Sequence, residues 1–288
     1  MFSKKKIKAE ITLMDNMFVP EKTLIIEDLP IQANIEYVGL PSAPKATIKI
    51  YGVSKEYMDE ITTIQLFSRF IQNRRIRLSI DEGDGYQVLF DGGIVNAVPM
   101  YNTAPNVYIQ IESSALQYQN FENLPPFKVP DTGMSVFGVI DGICKQYGLT
   151  AENCTKKANF VSSGIYDQTG ARARLWAAQK ALGVKLWFQT NNIVRVFDKD
   201  DAKIFTNYDF TSADYVGYPT FNSNGIEITL DKIVPIECYD TFTISGSEVG
   251  FANTTWRCYK KTYNLQNLNG NGKWEMKLMG VYNVIESW

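Results

Sequence analysis

Polar and apolar residues alternate one by one along several stretches of the chain, and this pattern limits the fold more than any other feature of the sequence. A period of two puts every second side chain on the same face, which is typical of a β-strand with one buried face. The alternating runs are residues 31–37, 46–50, 76–80 and 107–111 in the first third, and 226–230 and 241–245 in the last third. They predict sheets at both ends of the chain.

Turn-forming residues separate these runs. Segments 39–44, 81–85 and 91–93 are rich in Gly, Pro and Asp, which predicts a turn at each. A short helix is predicted over residues 55–62, with Ser54 as its N-cap. Two final strands are predicted over residues 256–263 and 274–281, with a turn at 268–272 between them. Several strands with regularly spaced turns point to an antiparallel barrel or sandwich.

The middle of the chain has a helical period instead. After Pro125 and Pro126, apolar residues recur at i, i+4, i+7 and i+11, which predicts one helix whose buried stripe is Val136, Ile140, Ile143 and Tyr147. Ser135 is placed to cap its start and Gly148 to end it.

A second helix is predicted over residues 170–182, with Thr169 as N-cap and Gly183 just past its end. Its expected buried face is Leu175, Ala178 and Leu182, while Arg172 and Lys180 stay in water. Strands over residues 184–189 and 193–197 follow. In the first of these, the adjacent Trp187 and Phe188 must face opposite sides of the sheet.

The double proline at residues 125 and 126 cannot continue a strand ladder and is interpreted as a domain junction. We expect an N-terminal β-barrel domain over residues 1–122, an α+β middle domain over 123–208, and a C-terminal β domain over 209–288. The predicted fold class is therefore mainly β, with antiparallel β-barrels and an α+β middle region that contains two helices.

The chain contains no histidine. Histidine is the usual general base, the usual partner of a nucleophilic Ser or Cys, and a leading zinc ligand. Catalysis by Ser-His-Asp or Cys-His groups and the HExxH metalloprotease pattern are therefore excluded. Catalysis that uses only carboxylates is not excluded by the absence of histidine.

The 29 Lys and Arg residues nearly balance the 31 Asp and Glu residues, which argues against nucleic-acid binding through bulk positive charge. None of the four cysteines, Cys144, Cys154, Cys238 and Cys258, belongs to a CxxC pair, so we expect free thiols in a protein made in a reducing cytoplasm. Residues 7–13 alternate in polarity where a signal peptide would be apolar, and no stretch approaches the roughly 20 apolar residues of a membrane span. We expect no export signal and no membrane anchor.

Two glycine-rich segments resemble ligand-binding loops. Residues 81–85 contain three acidic residues, but glycines occupy the third and fifth positions, where an EF-hand needs oxygen ligands. Residues 270–273 resemble the end of a P-loop but lack the following Ser or Thr and lie between two predicted strands. We interpret both segments as turns.

Charged clusters suggest two further sites. Arg69, Arg74, Arg75 and Arg77 form the densest basic cluster, which we interpret as a solvated face or a subunit contact. Asp198, Asp200 and Asp201 are the candidates for the two carboxylates of a glycoside hydrolase. Nothing in the sequence marks one of them as buried and another as ionised, as that chemistry requires.

Aromatic residues are abundant and include five tryptophans, Trp176, Trp187, Trp256, Trp274 and Trp288. Such side chains line carbohydrate grooves, but in β domains they are more often core residues or interface anchors.

Four segments together resemble the hub subunits of phage baseplates, the family that ends the tail tube above the spike in contractile-tailed phages. They are residues 50–54, the Leu-Phe-Asp-Gly-Gly-Ile run at 89–94, the helix and strand over 171–188, and residues 216–220 followed by Gly225, Ile226 and Leu230. They occur in the family's order and extend over most of the chain.

The resemblance implies a homotrimer whose subunits each offer two tube-like barrels. A ring of six such barrels would join the tail tube to the central spike and form part of the channel for genome passage. The implied partners are the tail tube protein, the spike protein and other baseplate subunits, with phage DNA as transient cargo. The implied location is the virion tail, and no residue is assigned to catalysis, a cofactor or a metal. Because relatives build barrels from non-contiguous segments, strand exchange between the first and last domains stays open.

Two alternatives remain at this point. The aromatic residues alone would suit a host-attachment or carbohydrate-binding module of the same tail, and binding to a glycan array would favour it. The carboxylates alone would suit a cell-wall hydrolase, and muralytic activity on a zymogram would establish it.

Overall fold

The structure is a computed structural model of the chain. It describes residues 5–13, 22–38, 42–62, 74–120, 124–155, 160–189, 192–198, 206–267 and 272–282.

Antiparallel strands dominate the described residues, and short helices lie between them. The strands are Lys6–Leu13 (β1), Lys22–Ile26 (β2), Ile31–Val38 (β3), Lys45–Tyr51 (β4), Arg75–Asp81 (β5), Gln87–Met100 (β6), Tyr108–Ser114 (β7), Phe127–Lys128 (β8), Met134–Ser135 (β9), Thr150–Asn153 (β10), Phe160–Val161 (β11), Ile165–Tyr166 (β12), Val184–Phe188 (β13), Ile193–Asp198 (β14), Asn207–Thr211 (β15), Thr220–Asn222 (β16), Gly225–Leu230 (β17), Thr241–Ser245 (β18), Thr255–Gln266 (β19) and Trp274–Tyr282 (β20). The α-helices are Lys55–Ile61 (α1), Gln117–Asn120 (α2), Val136–Gln146 (α3) and Ala171–Leu182 (α4).

The chain forms two compact units, each made of segments that are far apart in sequence. The first unit contains Met1–Glu36, Pro44–Phe121 and Tyr263–Trp274, and the second contains Tyr37–Ala43, Glu122–Thr262 and Glu275–Trp288. The three-domain division expected from the sequence is a different partition, and it stays a prediction.

The first unit is built on an antiparallel sheet in which β3, β4, β7, β6, β5, β1 and β2 follow one another. Its register places apolar residues opposite each other on the buried face, as in the pairs Ala33–Ile48 and Ile48–Ile111. These side chains are almost completely buried, as the alternation predicted. Strand burial therefore follows the period of two in the sequence.

The last part of β19 lies beside β3 and closes this sheet at one side. Asn267 fixes the closure, because its side-chain oxygen accepts a hydrogen bond from Ile31 N at 2.5 Å and its amide donates to Leu29 O at 3.3 Å. Its own backbone N–H donates to Ile31 O at 3.1 Å. One residue near the end of the chain thus satisfies three backbone groups near its start.

The turn predicted at residues 91–93 is wrong. β6 runs without interruption through Asp91, Gly92 and Gly93, which pair with residues 75–77 of β5. The buried Asp91 carboxylate is tolerated in the strand because arginines of β5 bind it. Gly92 is needed there because a Cβ atom at this position would collide with the Phe90 ring and with Ser114 O.

The second unit contains a sheet in which β16, β17, β20, β19, β18 and β15 are successive neighbours. The β16–β17, β17–β20 and β18–β19 pairs are antiparallel, and the β15–β18 pair is parallel. A smaller sheet, β10–β14–β13, also belongs to this unit, and α3 packs against α4 and β10.

The helix predictions for the middle region hold with small corrections. Ser135 caps α3 by accepting from Gly138 N, and the predicted stripe of this helix is buried. The N-cap of α4 is Gly170, with φ of 83°, so the prediction of Thr169 is wrong by one residue. Leu182 is only half-buried, whereas Arg174 lies fully inside.

The predicted fold class, mainly antiparallel β with an α+β middle region containing two helices, is confirmed. The four cysteines are free and buried, as expected.

Gly225 gives a test of the second unit's sheet. Its φ is 142°, and a Cβ atom would collide with the carbonyl oxygen of Gly280 on β20. We expect Gly225→Ala to lower the free energy of unfolding by about 3 kcal/mol, because backbone strain and displacement of β20 add. Urea denaturation would measure it. Gly250→Ala, which meets nothing within 4 Å, is the control, and equal losses for both variants would contradict the argument.

Candidate functional site

The residues that the sequence singled out for chemistry do not form a reactive site in the part of the chain that the structure describes. Asp198 is buried at the end of β14 opposite Val184, while Asp200 and Asp201 lie outside the described residues. No group of three or more His, Cys, Asp or Glu side chains suited to a metal ion occurs among the described residues. Those residues also include no helix long and apolar enough to cross a membrane.

The acidic segment at residues 81–85 is a turn, as predicted. The Asp81 carboxylate accepts hydrogen bonds from Gly83 N at 2.7 Å and from Gly85 N at 3.1 Å. Backbone amides therefore occupy an oxygen that a cation would need. Of the P-loop-like segment, residues 270 and 271 lie outside the described residues.

The basic cluster is divided between internal contacts. Arg75 forms a close bidentate ion pair with Asp91, and Arg77 contacts the same carboxylate at 3.1 Å. Arg74 donates instead to Ile61 O at 3.0 Å. Arg69 lies outside the described residues. The three described arginines therefore hold the first unit together and form no continuous binding surface for phosphates.

The main polar feature of the second unit is a partly buried ion-pair network that sequence reasoning missed. We use this name for Glu152, Arg195, Glu237, Asp240 and Lys261. Parallel pairing of β10 with β14 places Glu152 beside Arg195, and β19 supplies Lys261. The short segment before β18 supplies Glu237 and Asp240.

Arg195 links two of the carboxylates. Its Nε lies 2.7 Å from Glu152 Oε2 and its Nη1 lies 3.2 Å from Asp240 Oδ1. Burial opposes the charge of Arg195, but the hydrogen bond to Glu152 and the charge of Asp240 outweigh it, so the pKa of the guanidinium is raised. Burial likewise raises the pKa of Asp240, although the Glu237 N–H and Arg195 act in the opposite direction.

Lys261 is the other cation of the network and is only 1% exposed. Its ammonium forms a close ion pair with Glu237, donates to Ile236 O at 3.2 Å, and lies 4.7 Å from the centre of the Tyr37 ring. These neighbours compensate the positive charge of Lys261, and none of them is a reactive group open to solvent. The network therefore acts as a structural fastening between strands, and the lack of any local motif explains why the sequence did not reveal it.

Arg174 fastens the middle region in a similar way. Its guanidinium donates to Pro125 O at 2.9 Å, Leu124 O at 3.1 Å and Gln168 O at 3.0 Å, and to the Gln146 side chain at 3.0 Å. It lies on the same buried face of α4 as Ala171, Leu175 and Ala178, a position that the sequence analysis did not assign to it.

An exposed aromatic patch lies at one end of the second unit's sheet. We define it as Phe221, Trp256 and Tyr282. Trp256 is buried, 6.2 Å from the Phe221 ring and 5.7 Å from the Tyr282 ring. The Phe221 and Tyr282 rings are exposed, and Tyr218 and Phe251 are further exposed rings of the same unit. A cluster of this kind is typical of protein interfaces.

The segment that carries Tyr218 is fixed by Asp214. This carboxylate accepts from Thr211 N and Thr211 Oγ1, both at 2.9 Å, and from Lys232 Nζ at 2.8 Å. The Lys232 hydrogen bond, followed by those from Thr211, lowers the pKa of Asp214 to about 2.

The solvent face of the first unit's sheet is polar instead. The register places Asn34 opposite Thr47 and Gln32 opposite Lys49 on this face. It holds two shallow depressions, lined by Gln32, Ala33, Asn34, Thr47, Lys49, Asn264, Leu265, Gln266 and Lys273. No aromatic ring is among these lining residues, so neither depression offers the stacking surface that sugar binding favours.

The fold matches solved phage tail proteins along nearly the whole chain. A tail protein from Neisseria meningitidis MC58 has a TM-score of 0.61 at 8% identity, with 96% of this chain and 97% of that chain covered. The 43 kDa tail protein of prophage MuSo2 from Shewanella oneidensis has a TM-score of 0.59 at 11% identity, with 95% and 98% covered.

A component of the Escherichia coli type VI secretion system, described as structurally similar to the T4 bacteriophage tail proteins gp27 and gp5, has a TM-score of 0.60 at 8% identity, with 90% and 76% covered. No protein-family model and no curated protein matches the chain. At these identities the likeness shows the fold alone. The resemblance drawn from the sequence is thus confirmed for the fold.

The ion-pair network yields a prediction about stability. We expect Lys261→Met to lower the free energy of unfolding by about 3 kcal/mol, because the partly buried Glu237 loses its counter-charge. Adding Glu237→Gln should restore part of the loss, so the two changes are not additive in urea denaturation. Lys277→Met breaks a pair with Glu227 whose two side chains are 34% and 21% exposed, far more than Lys261, and should change stability by less than about 1 kcal/mol. Similar losses for Lys261→Met and Lys277→Met would contradict the buried role.

Asp214 yields a prediction about pH. Its pKa is lowered from 3.8 to about 2, so its carboxylate stabilises the folded state above pH 3.8, and this contribution is lost as pH falls toward 2. We expect Asp214→Asn to reduce stability by about 0.5 kcal/mol at neutral pH, since the site is solvent-screened, and by much less near pH 2, where about half of the carboxyl is protonated. Thermal unfolding at both pH values tests this, with exposed Asp131→Asn as the charge control. An undiminished loss at pH 2 would contradict it.

Proposed function

We propose that this chain is a structural baseplate hub subunit of a phage tail, which joins the tail tube to the central spike and forms part of the channel for genome passage. The observation that carries the proposal is the match in fold to two tail proteins over at least 95% of both chains. The ordered sequence segments that resemble baseplate hubs support it independently.

The contacts within the chain are consistent with a structural role. The charged groups that catalysis would use are engaged in fastening strands, as in the ion-pair network and the Arg75–Asp91 pair. The aromatic patch offers side chains of the kind that anchor subunit contacts. We infer that the protein acts by assembly, as a homotrimer that binds the tail tube protein, the spike protein and other baseplate subunits within the virion tail, and not by catalysis.

The first test is the native mass of the purified chain. We expect a mass three times that of the 32.6 kDa chain by light scattering, unchanged on dilution through the micromolar range, because obligate subunits share large apolar contacts. Averaged electron micrographs should show a three-fold ring with a central opening. A strict monomer, or an oligomer without an opening, would contradict the autonomous hub trimer.

One observation favours a second candidate, a host-attachment module of the same tail. The exposed Phe221 and Tyr282 rings of the aromatic patch could stack on sugars. Binding of the isolated chain to a glycan array, lost in Phe221→Ala and kept in Phe160→Ala at another exposed ring, would favour attachment. A hub should show no glycan signal. Muralytic activity on a zymogram that Asp198→Asn abolishes would instead establish the hydrolase.

A further inference from the structure

Two of the four free cysteines meet inside the second unit. Cys258 belongs to β19, and Cys238 belongs to the segment that carries Glu237 and Asp240. Both residues are fully buried. Cys238 Sγ donates to Tyr37 O at 3.9 Å, Cys258 Sγ donates to Lys260 O at 3.6 Å, and the Cys238 thiol acts on the pKa of Cys258. The chain therefore keeps two reduced thiols near each other in its interior.

The backbone holds the two cysteines side by side. Tyr239 N donates to Cys258 O at 2.7 Å, and Cys258 N donates to Asp240 O at 2.9 Å. Tyr239 lies between these bonds, and its backbone φ is 83°, a value that few residues other than glycine adopt. These bonds fix residues 238–240 against β19, so the two cysteines belong to neighbouring, hydrogen-bonded segments, as a disulfide requires.

We propose that Cys238 and Cys258 form an oxidation site, at which a peroxide converts the two thiols into a disulfide between residues 236–240 and β19. This site goes beyond the proposed hub function and does not depend on it. Cys144 on α3 is also buried, but it lies on a different element and serves as the internal comparison.

The reaction with hydrogen peroxide balances without another reagent. The Cys258 thiolate attacks one peroxide oxygen, which breaks the O–O bond and yields a sulfenic acid and hydroxide; hydroxide takes up the thiol proton to form water. The Cys238 sulfur then attacks the sulfenic sulfur, and its proton leaves with the hydroxyl group as a second water. Both sulfur atoms are oxidised, and one peroxide is reduced to two waters.

The surroundings make this site slow to react in the closed fold. The hydrogen bond to Cys238, together with burial, raises the pKa of Cys258 well above its usual value, and the Lys261 charge only partly opposes this. Few thiolates are therefore present at neutral pH, and thiolates are the reactive form. Opening of residues 236–240 admits peroxide and removes the burial. We expect oxidation to accelerate in sub-denaturing urea.

The disulfide would close a loop of about 20 residues and limit the opening of the same segment. A cross-link of this length restricts the unfolded chain, so we expect the oxidised protein to melt about 5 °C higher than the reduced one. A reductant should reverse the shift.

The test uses the full chain, reduced and then exposed to hydrogen peroxide with and without sub-denaturing urea. We expect the thiols titrated after denaturation to fall from four to two, and the non-reducing peptide map to join the peptides of Cys238 and Cys258. Cys144→Ala should lose two of its three thiols in the same way. Cys258→Ala should form no internal disulfide.

Retention of four thiols in urea, or a cross-link that joins other cysteines or two chains, would overturn the proposal. The peptide map of the unaltered chain decides the matter even where Cys258→Ala fails to fold. Because the readout is a bond between two residues, it stands apart from native mass. A monomer with the disulfide would reject only the hub trimer, and a trimer without it would reject only the oxidation site.

Discussion

Strand pairing between distant parts of the sequence is the constraint on which the rest of the structure depends. The first unit is complete only when Tyr263–Trp274 joins the segments before residue 122. Asn267 shows the need most directly, since it bonds to the backbone of Leu29 and Ile31 across more than 230 residues. Closing so long a loop loses chain entropy, which only a formed ladder and a buried core can offset.

The two faces of the strands make this pairing specific. In the first unit, Ile48 and Ile111 lie on the buried face, while Thr47, Lys49 and Glu112 lie on the solvent face. A slip of one residue between β4 and its neighbours would exchange these faces and bury the charges. Register and core composition therefore support each other. In the other unit, the partly buried ion-pair network also favours one arrangement of the strands.

Much of the fold could be predicted because its signals are local. Alternation predicted the strand that contains residues 31–37, and Ser135 predicted the start of α3, since caps and half-buried faces leave a mark within a few residues. The turn predicted at residues 91–93 was wrong because Asp followed by Gly is typical of turns. Nothing in the local sequence shows that arginines bind the Asp91 carboxylate within a strand. Lys261 and Arg174 were missed, because their partners are brought close only by the tertiary fold.

The contribution of Tyr263–Trp274 to the first unit has a consequence for how the protein is made. A ribosome adds about 5–20 residues per second, so the roughly 150 residues between Phe121 and Trp274 take on the order of 10 s to emerge. Throughout that time β3 lacks its neighbour from the end of the chain, and its backbone groups can pair with other nascent strands. The first unit can therefore close only after the last strands have been synthesised. A prematurely terminated chain keeps an open sheet edge, which favours aggregation or binding by chaperones.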